Sequence, residues 1–365
     1  MSSNATPLDV SKWAVVAHKD DSGFGRQAQD MRAVLGIDRQ IVIPSERLWD
    51  KELRPPLEVL LKPDDPEERV REVLNGLQGI VFYERHSWHP KILQVARELG
   101  VRSICVPNWE WFNGDDQQWD LCDLLVTSSH FSLSVARKFG RRNSVCLPWT
   151  LDLNRFTPRN ISGCARIFVH NAGIVDRDDR KGTRDTINAF KRVKGDVSLI
   201  VRMQKETDLP KLDSRIDLRI GNLSDPAELY AEADVAIQPS KMEGNGFMVL
   251  EPVCSGMPVI SLDYPPMNEF VRQPEMRVKK QWFKRKAFPT AWVKHAHLRL
   301  PDESDLVRKI EWCAGNDVGN VARDNRAWAE STFRRETLRD TWYAAMKATL
   351  GDELKQYVQR TSSTD

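Results

Sequence analysis

The chain has 365 residues, 41% of them hydrophobic and 29% charged, with a formal net charge of +2. That length exceeds what one hydrophobic core usually serves, so two domains are expected. The mild charge excludes a surface that is polyanion-binding throughout, and no apolar run is long enough to span a bilayer.

The first apolar run, "WAVVAH" (13–18), is too short for a signal-peptide core and has no cleavage pattern after a basic start, so a cytoplasmic protein is expected. Four short runs rich in β-branched residues follow: "RQIVIP" (39–44), "GIVFYE" (79–84), "RSICVP" (102–107) and "LLVTSS" (124–129). Each precedes a longer helical pattern, which predicts βαβ units and a parallel sheet. A polar, proline-containing connection at 147–163 leads to a second series: 165–173, 197–204, 216–221, 233–240 and 258–263. The fold class is therefore α/β, with a domain at 1–150, a second at 151–325, and C-terminal helices with a frayed tail at 326–365.

Helix starts are legible in two places. Asp225-Pro226 before "AELYAEA" reads as an acidic cap with proline at the first helical position. Thr183 is placed to cap "RDTINAFKRV", whose Ile187, Phe190 and Val193 share one face. Six cysteines (105, 122, 146, 164, 254 and 313) are scattered singly without metal-binding spacing and read as reduced, mostly buried thiols. "DRD" at Asp176 to Asp178 matches a two-aspartate metal motif, but cations in the same turn argue against an obligatory metal, and none is predicted. His86 and His89, three apart, lack a third ligand.

In an open parallel sheet, ligands bind beyond the carboxyl ends of the strands. "IQPSKMEGNGFMVLE" (237–251) fits that position, with a strand ending near Ser240, Glu243 in the loop, and Gly244 to Gly246 opening a helix that carries Glu251. Exposed amides at such a helix start favour a phosphate, and glycines permit its close approach. One carboxylate is then placed to meet a sugar and the other a ribose diol. A lone pair of glutamates at this spacing is usually a solvated helix face; the glycine turn and the following "SGMPVIS" are what raise it.

These residues resemble the donor-site signature of retaining glycosyltransferases of family 4, which have the two-domain GT-B fold. "SGFGRQAQDM" (22–31), "LPWTLDLNRFTPR" (147–159), "RKGTRDTINAFKRV" (180–193) and the segment 220–240 agree with the family in order and spacing. The resemblance extends from about residue 13 to 345. It implies two Rossmann-like domains facing a central cleft, a hinge near residue 150, and C-terminal helices that pack back across the junction. It implies further that Glu251 binds the donor ribose, that Glu243 approaches the transferred sugar, and that Lys181 neutralises the diphosphate. Backbone amides of Gly244, Asn245, Gly246 and Phe247, and of Gly23 and Gly25, complete the phosphate and acceptor sides, while Asn222 and Leu223 edge the nucleobase. No dedicated nucleophile is implied, because retention in such enzymes is attributed to front-face attack assisted by the leaving phosphate. No cofactor beyond the nucleoside-diphosphate sugar is expected, and UDP is the commonest donor nucleotide.

The chain departs from the family at two points. Ile174 follows Gly173 where an arginine is usual, so Arg177 or Arg180 must supply the second cation, with Arg177 preferred. After "VPNWEW" the usual histidine is missing, and Glu110 is the acceptor-side candidate, with Glu84, Arg85 and His86 close behind. Trp109, Trp111 and Trp119 are expected near the cleft as stacking faces.

The acceptor is left open. Residues 272–299 hold nine Lys or Arg against one acid, Glu275, with Trp282, Phe283, Phe288 and Trp292 interleaved. This strip, with Lys284 and Arg285 at its centre, reads as a nucleic-acid surface, a solvated insertion or an attachment to anionic lipid headgroups. The acceptor is then either a glycan or lipid-linked sugar, or hydroxymethylated pyrimidines of phage-type DNA. The competing reading is a non-catalytic doubly wound protein that binds a nucleotide or nucleic acid. Oligomeric state is not legible.

Overall fold

The computed structural model describes residues 7–20, 23–44, 52–84, 88–112, 115–223, 225–287 and 296–362. Arg85 and His86 lie outside the described residues, as do the side chains of Trp111, Lys284 and Arg285. The chain forms two compact units, Met1–Asp152 with Thr332–Asp365, and Leu153–Ser331.

In the first unit seven parallel strands run in the order β3-β2-β1-β4-β5-β6-β7. They are β1 (Trp13–Ala17), β2 (Arg39–Val42), β3 (Glu58–Leu60), β4 (Gly79–Glu84), β5 (Arg102–Pro107), β6 (Leu124–Thr127) and β7 (Ser144–Cys146). Helices α1 (Gly23–Leu35), α2 (Glu67–Leu74), α3 (Ile92–Glu98) and α4 (His130–Lys138) connect β1 to β2, β3 to β4, β4 to β5 and β6 to β7. Strands β1 and β4 are buried along their whole length, as continuous apolar runs in a sheet covered on both faces should be. Gly79 opens β4 opposite Trp13, where a Cβ would come within 2.5 Å of the indole; the missing side chain makes room for the ring.

The second unit repeats the plan with the order β10-β9-β8-β11-β12-β13. Its strands are β8 (Ile167–Gly173), β9 (Ser198–Met203), β10 (Ile216–Ile220), β11 (Val235–Gln238), β12 (Val259–Leu262) and the two-residue β13 (Arg277–Val278). Helices α5 (Thr183–Arg192), α6 (Phe247–Cys254), α7 (Met267–Phe270), α8 (Glu303–Gly315) and α9 (Gly319–Thr332) accompany it. Ile187, Phe190 and Val193 of the α5 segment are buried, as the sequence pattern predicts. A separate antiparallel ribbon, β14 (Lys280–Ala287) with β15 (His297–Pro301), carries part of the basic strip, and Trp282 on it is 82% exposed.

Two helical expectations change. The segment after Asp225-Pro226 makes only a 3-10 turn, Pro226–Tyr230. Asp234 accepts the N–H groups of Arg166 and Ile167 (2.8 and 2.9 Å), which ties the chain to the start of β8 and leaves no length for a longer helix. The C-terminal helices expected at 326–365 divide between the units. Arg326 and Asn325 of α9 bond the carbonyls of Cys254 and Met257 (2.6 and 2.9 Å) in the second unit. In contrast, α10 (Arg335–Leu350) packs on α1, and α11 (Leu354–Ser362) follows it in the first unit. Arg339 and Tyr343 of α10 donate to the carbonyls of Val34 and Leu35 (2.5 and 2.6 Å), satisfying the C-terminal end of α1. Among the described residues no helix is long and apolar enough to cross a membrane.

Candidate functional site

The sheet order reverses between β1 and β4 in the first unit and between β8 and β11 in the second. At such a switch point the helices that follow adjacent strands depart to opposite faces and leave a crevice at the strands' carboxyl ends. Gly23, Gly25 and Glu84 lie at the first of these places, and Arg180, Lys181 and Glu243 at the second.

In the second unit, the loop after β8 delivers Arg180 and Lys181 to the start of α5, and the loop after β11 delivers Glu243 to the start of α6. Lys181 Nζ lies 2.6 Å from Glu243 Oε1, and Arg180 Nη1 lies 2.9 Å from Oε2, so one carboxylate holds both cations. Arg180 also donates to the Met242 carbonyl (3.0 Å). Glu243 is 5% exposed. Burial pushes its pKa up, but the charges of Lys181 and then Arg180 outweigh that and bring it down to about 2. Glu243 is therefore an anion throughout the physiological range.

The loop bearing the cations is shaped by its own aspartates. Asp176 accepts the N–H of Arg180 (3.2 Å), a turn contact. Asp179, in the left-handed region at φ 49°, accepts the N–H groups of Thr183 (2.8 Å) and Arg184 (3.0 Å). Asp179 thus satisfies the exposed amides of α5, and Thr183 is the first helical residue instead of the cap. The Thr183 hydroxyl meets His170 Nε2 (2.9 Å), whose Nδ1 donates to the Ile237 carbonyl (2.7 Å) and links β8 to β11. Arg177 is exposed, and it is Arg180 that reaches Glu243.

Beyond Glu243, Gly244 and Asn245 are buried, and Gly246, at φ 67°, leads into α6 at Phe247. Glu251 lies one turn further along, half-buried, and Tyr230 donates its hydroxyl to Glu251 Oε2 (3.1 Å). Burial, then the nearby Glu251 charge, hold the Tyr230 phenol well above its ordinary pKa, so it stays a donor. Asn222 and Leu223 follow β10, at the sheet edge two strands from β8. Asn222 is exposed and Leu223 half-buried.

In the first unit, Gly23 and Gly25 begin α1 directly after β1. Gly25 donates its N–H to Asp20 Oδ1 (3.2 Å), and a Cβ there would lie 1.9 Å from the Asp20 carbonyl oxygen, so only glycine fits. Glu84 ends β4 at φ 68°, an uncommon backbone conformation for a side chain larger than glycine, and accepts from Asn108 Nδ2 (3.3 Å). Glu110 lies in the 3-10 turn Trp109–Trp111 just past β5, the strand next to β4, and is 6% exposed.

The aromatic expectations fare differently. Trp109 is 3% exposed and packs edge-on against Phe131, with ring centroids 4.9 Å apart. Trp119 is a core residue against Phe112, not a stacking face. His89 spends both ring nitrogens on backbone, meeting the Asp65 carbonyl (2.9 Å) and accepting from the Lys91 N–H (3.1 Å). Sequence reasoning passed over Asp20, His170, Asp179, Tyr230 and Lys241. Asp20 and Asp179 bond amides only four or five positions on, whereas His170, Tyr230 and Lys241 find partners far away in sequence.

Comparison with known proteins bears on the fold. Residues 216–308 match the family described as glycosyl transferases group 1. A search of curated protein sequences gave no significant match. Among solved structures, a glycosyltransferase from Rickettsia africae ESF-5 superposes with a TM-score of 0.68 at 13% identity, over 93% of this chain and 98% of that one. The Anabaena HepE protein in complex with UDP and glucose gives 0.66 at 11%, over 92% and 99%. Sucrose-phosphate synthase from Thermosynechococcus elongatus gives 0.60 at 14%, over 97% and 99%. The fold is that of the GT-B glycosyltransferases, as the resemblance implies.

Proposed function

We propose that the chain is a retaining glycosyltransferase that moves a sugar from a nucleoside-diphosphate sugar, UDP being the favoured nucleotide, to a hydroxyl acceptor. The observation that carries this reading is the pair of cations, Arg180 and Lys181, held on Glu243 at the switch point of the second unit. A diphosphate leaving group gains negative charge in the transition state, and fixed cations beside it are worth most at that moment. Arg180 takes the place of the arginine that Ile174 replaces. Glu243, ionised and oriented, is suited to accept hydrogen bonds from sugar hydroxyls, and Glu251, steadied by Tyr230, from the ribose diol. The UDP and UDP-glucose bound by HepE support a nucleotide-sugar donor. The leaving phosphate takes the acceptor proton on the face that the sugar leaves, so no protein nucleophile is assigned. Six free cysteines accord with a reducing, cytoplasmic setting.

The acceptor is a glycan or lipid-linked sugar in the first instance. The exposed Trp282 on the basic ribbon favours a second reading, hydroxymethylated pyrimidines in DNA, since an exposed aromatic amid cations is suited to stacking on a base. Incubation with pooled nucleotide sugars and DNA containing hydroxymethylated pyrimidines, followed by nucleoside mass spectrometry, tests both. A sugar mass increment on one nucleoside establishes transfer and the DNA acceptor. Release of nucleoside diphosphate without an increment keeps the transferase and points to a glycan. In that assay Glu251→Ala is expected to lose donor turnover. A non-catalytic nucleic-acid binder would show no turnover at all and keep its DNA affinity in that variant.

A further inference from the structure

Lys241 is 6% exposed, yet it belongs to none of the roles assigned above. Its Nζ lies 2.7 Å from Asp185 Oδ2 and 3.2 Å from Asp179 Oδ2. A buried ammonium needs such partners, because leaving it unpaired in the interior costs several kcal/mol, on the order of the desolvation of one ion. The choice of partners is informative. Asp179 is the residue whose carboxylate caps α5 through Thr183 and Arg184, and Arg180 and Lys181 lie between it and the helix. The Lys241 N–H also donates to the Arg180 carbonyl (2.8 Å), and its own carbonyl accepts from the Arg299 N–H (2.9 Å).

Segments 179–185 and 240–243 are thus joined twice by opposite charges. Lys241 takes the acids of the first segment, and two residues later Glu243 takes its cations. A shift of one segment along the other would set Lys241 against Arg180 and Lys181, and Glu243 against Asp179. A buried ion pair is weak evidence for stability, but it is a known way to fix register. We propose that Lys241 is a positioning residue: through Asp179 and Asp185 it holds the Arg180-Lys181 turn at the distance from Glu243 at which the cations meet the donor diphosphate. This inference rests on the nucleotide-sugar reading of the site.

The test uses the full chain, purified nucleotide sugars and release of nucleoside diphosphate. Lys241→Met is expected to lower kcat by about 100-fold, the scale of a 1 Å misplacement, with a smaller change in donor KM. Lys241→Arg, which keeps the charge, is expected to recover most of that loss. In a Lys181→Met background the further change Lys241→Met is expected to cost several-fold less than in the wild type, because residues acting as one unit are not additive. Equal losses in the two backgrounds, or a Lys241→Met kcat within about twofold of wild type, overturn the inference. Should Lys241→Met not fold, Asp185→Asn is measured in the same way; it keeps the Lys241–Asp179 pair and the α5 cap. An Asp185→Asn kcat equal to wild type also overturns the inference. A wild-type chain that neither binds nor cleaves any nucleotide sugar defeats the reading of the site itself, a result separable from failure of the variants alone.

Discussion

Lys181 Nζ and Glu243 Oε1 stand 2.6 Å apart, although 62 positions separate the two residues in sequence. Removing either member exposes what the pair does. Lys181→Met is expected to reduce kcat by about 100-fold or more, as loss of one preorganised charge partner for a developing anion does. Glu243→Gln is expected to lower kcat as well and to change the acid stability of the protein. The carboxyl titrates near 2 when folded and near 4.5 when unfolded, so its contribution is complete above about pH 4.5 and is lost as pH falls toward 2. A shift of that size corresponds to about 3 kcal/mol. Melting temperatures of wild type and Glu243→Gln between pH 6 and 2.5 should therefore converge at the acid end. Parallel curves would show that the ion pair contributes nothing to folding.

Gly182 stands beside Lys181 at φ 73°, and a Cβ there would lie 2.8 Å from the Pro239 carbonyl oxygen. Both the backbone conformation and the space exclude a side chain. Gly182→Ala is expected to cost about 1–3 kcal/mol, seen as a lower midpoint in urea at unchanged slope, and to reduce turnover by displacing Lys181. An alanine variant with wild-type midpoint would show that the loop relaxes freely.

Much of this arrangement was legible in the sequence, and what was not has physical reasons. The long apolar runs gave the central strands with ends correct to within two residues, since a strand buried on both faces reads as an uninterrupted apolar stretch. Three of the four edge strands of the two parallel sheets, Glu58–Leu60, Ser144–Cys146 and Arg277–Val278, carry no such signal, being two or three residues long and fixed by pairing with a neighbour. Glu243 and Glu251 stood out because a glycine-rich helix start beyond a strand needs particular residues at particular spacings, and Lys181 only through the family resemblance. The sequence reading preferred Arg177 over Arg180, whereas it is Arg180 that meets Glu243, because only the folded loop decides which guanidinium turns inward. The same holds for Lys241, whose acids lie 56 and 62 positions away by residue number. Trp119 misled because an indole suits a sugar and a core equally well.

Tyr230 is the support of Glu251, and its removal separates binding from chemistry. Tyr230→Phe deletes the 3.1 Å hydrogen bond while keeping the buried ring. The expected loss is about 0.5–1.5 kcal/mol, or roughly 2- to 13-fold in donor KM, with kcat little changed if Glu251 has its proposed ribose role, because such a contact is made equally in ground and transition states. A fall in kcat with KM unchanged would place Glu251 nearer the reacting centre than the ribose.

His170 is expected to make the second unit sensitive to mild acid. It is fully buried, and burial lowers its pKa from 6.5 to about 4 despite the opposing pull of the Ile237 carbonyl and Asp179. With Nδ1 donating to that carbonyl, neutral Nε2 accepts from the Thr183 hydroxyl. Between pH 6.5 and 4 the unfolded chain takes up a proton that the folded chain refuses, so stability falls as pH drops through that window. The shift corresponds to about 3 kcal/mol. Wild type should thus lose more stability than His170→Gln between pH 7 and 4.5, measured by urea unfolding of each protein at both pH values. Nuclear magnetic resonance of the wild type at pH 5 should show this imidazole still neutral. A protonated His170 at pH 5 would mean that the junction of β8, β11 and the start of α5 admits water, and that the base of the Lys181 turn is looser than its hydrogen bonds indicate.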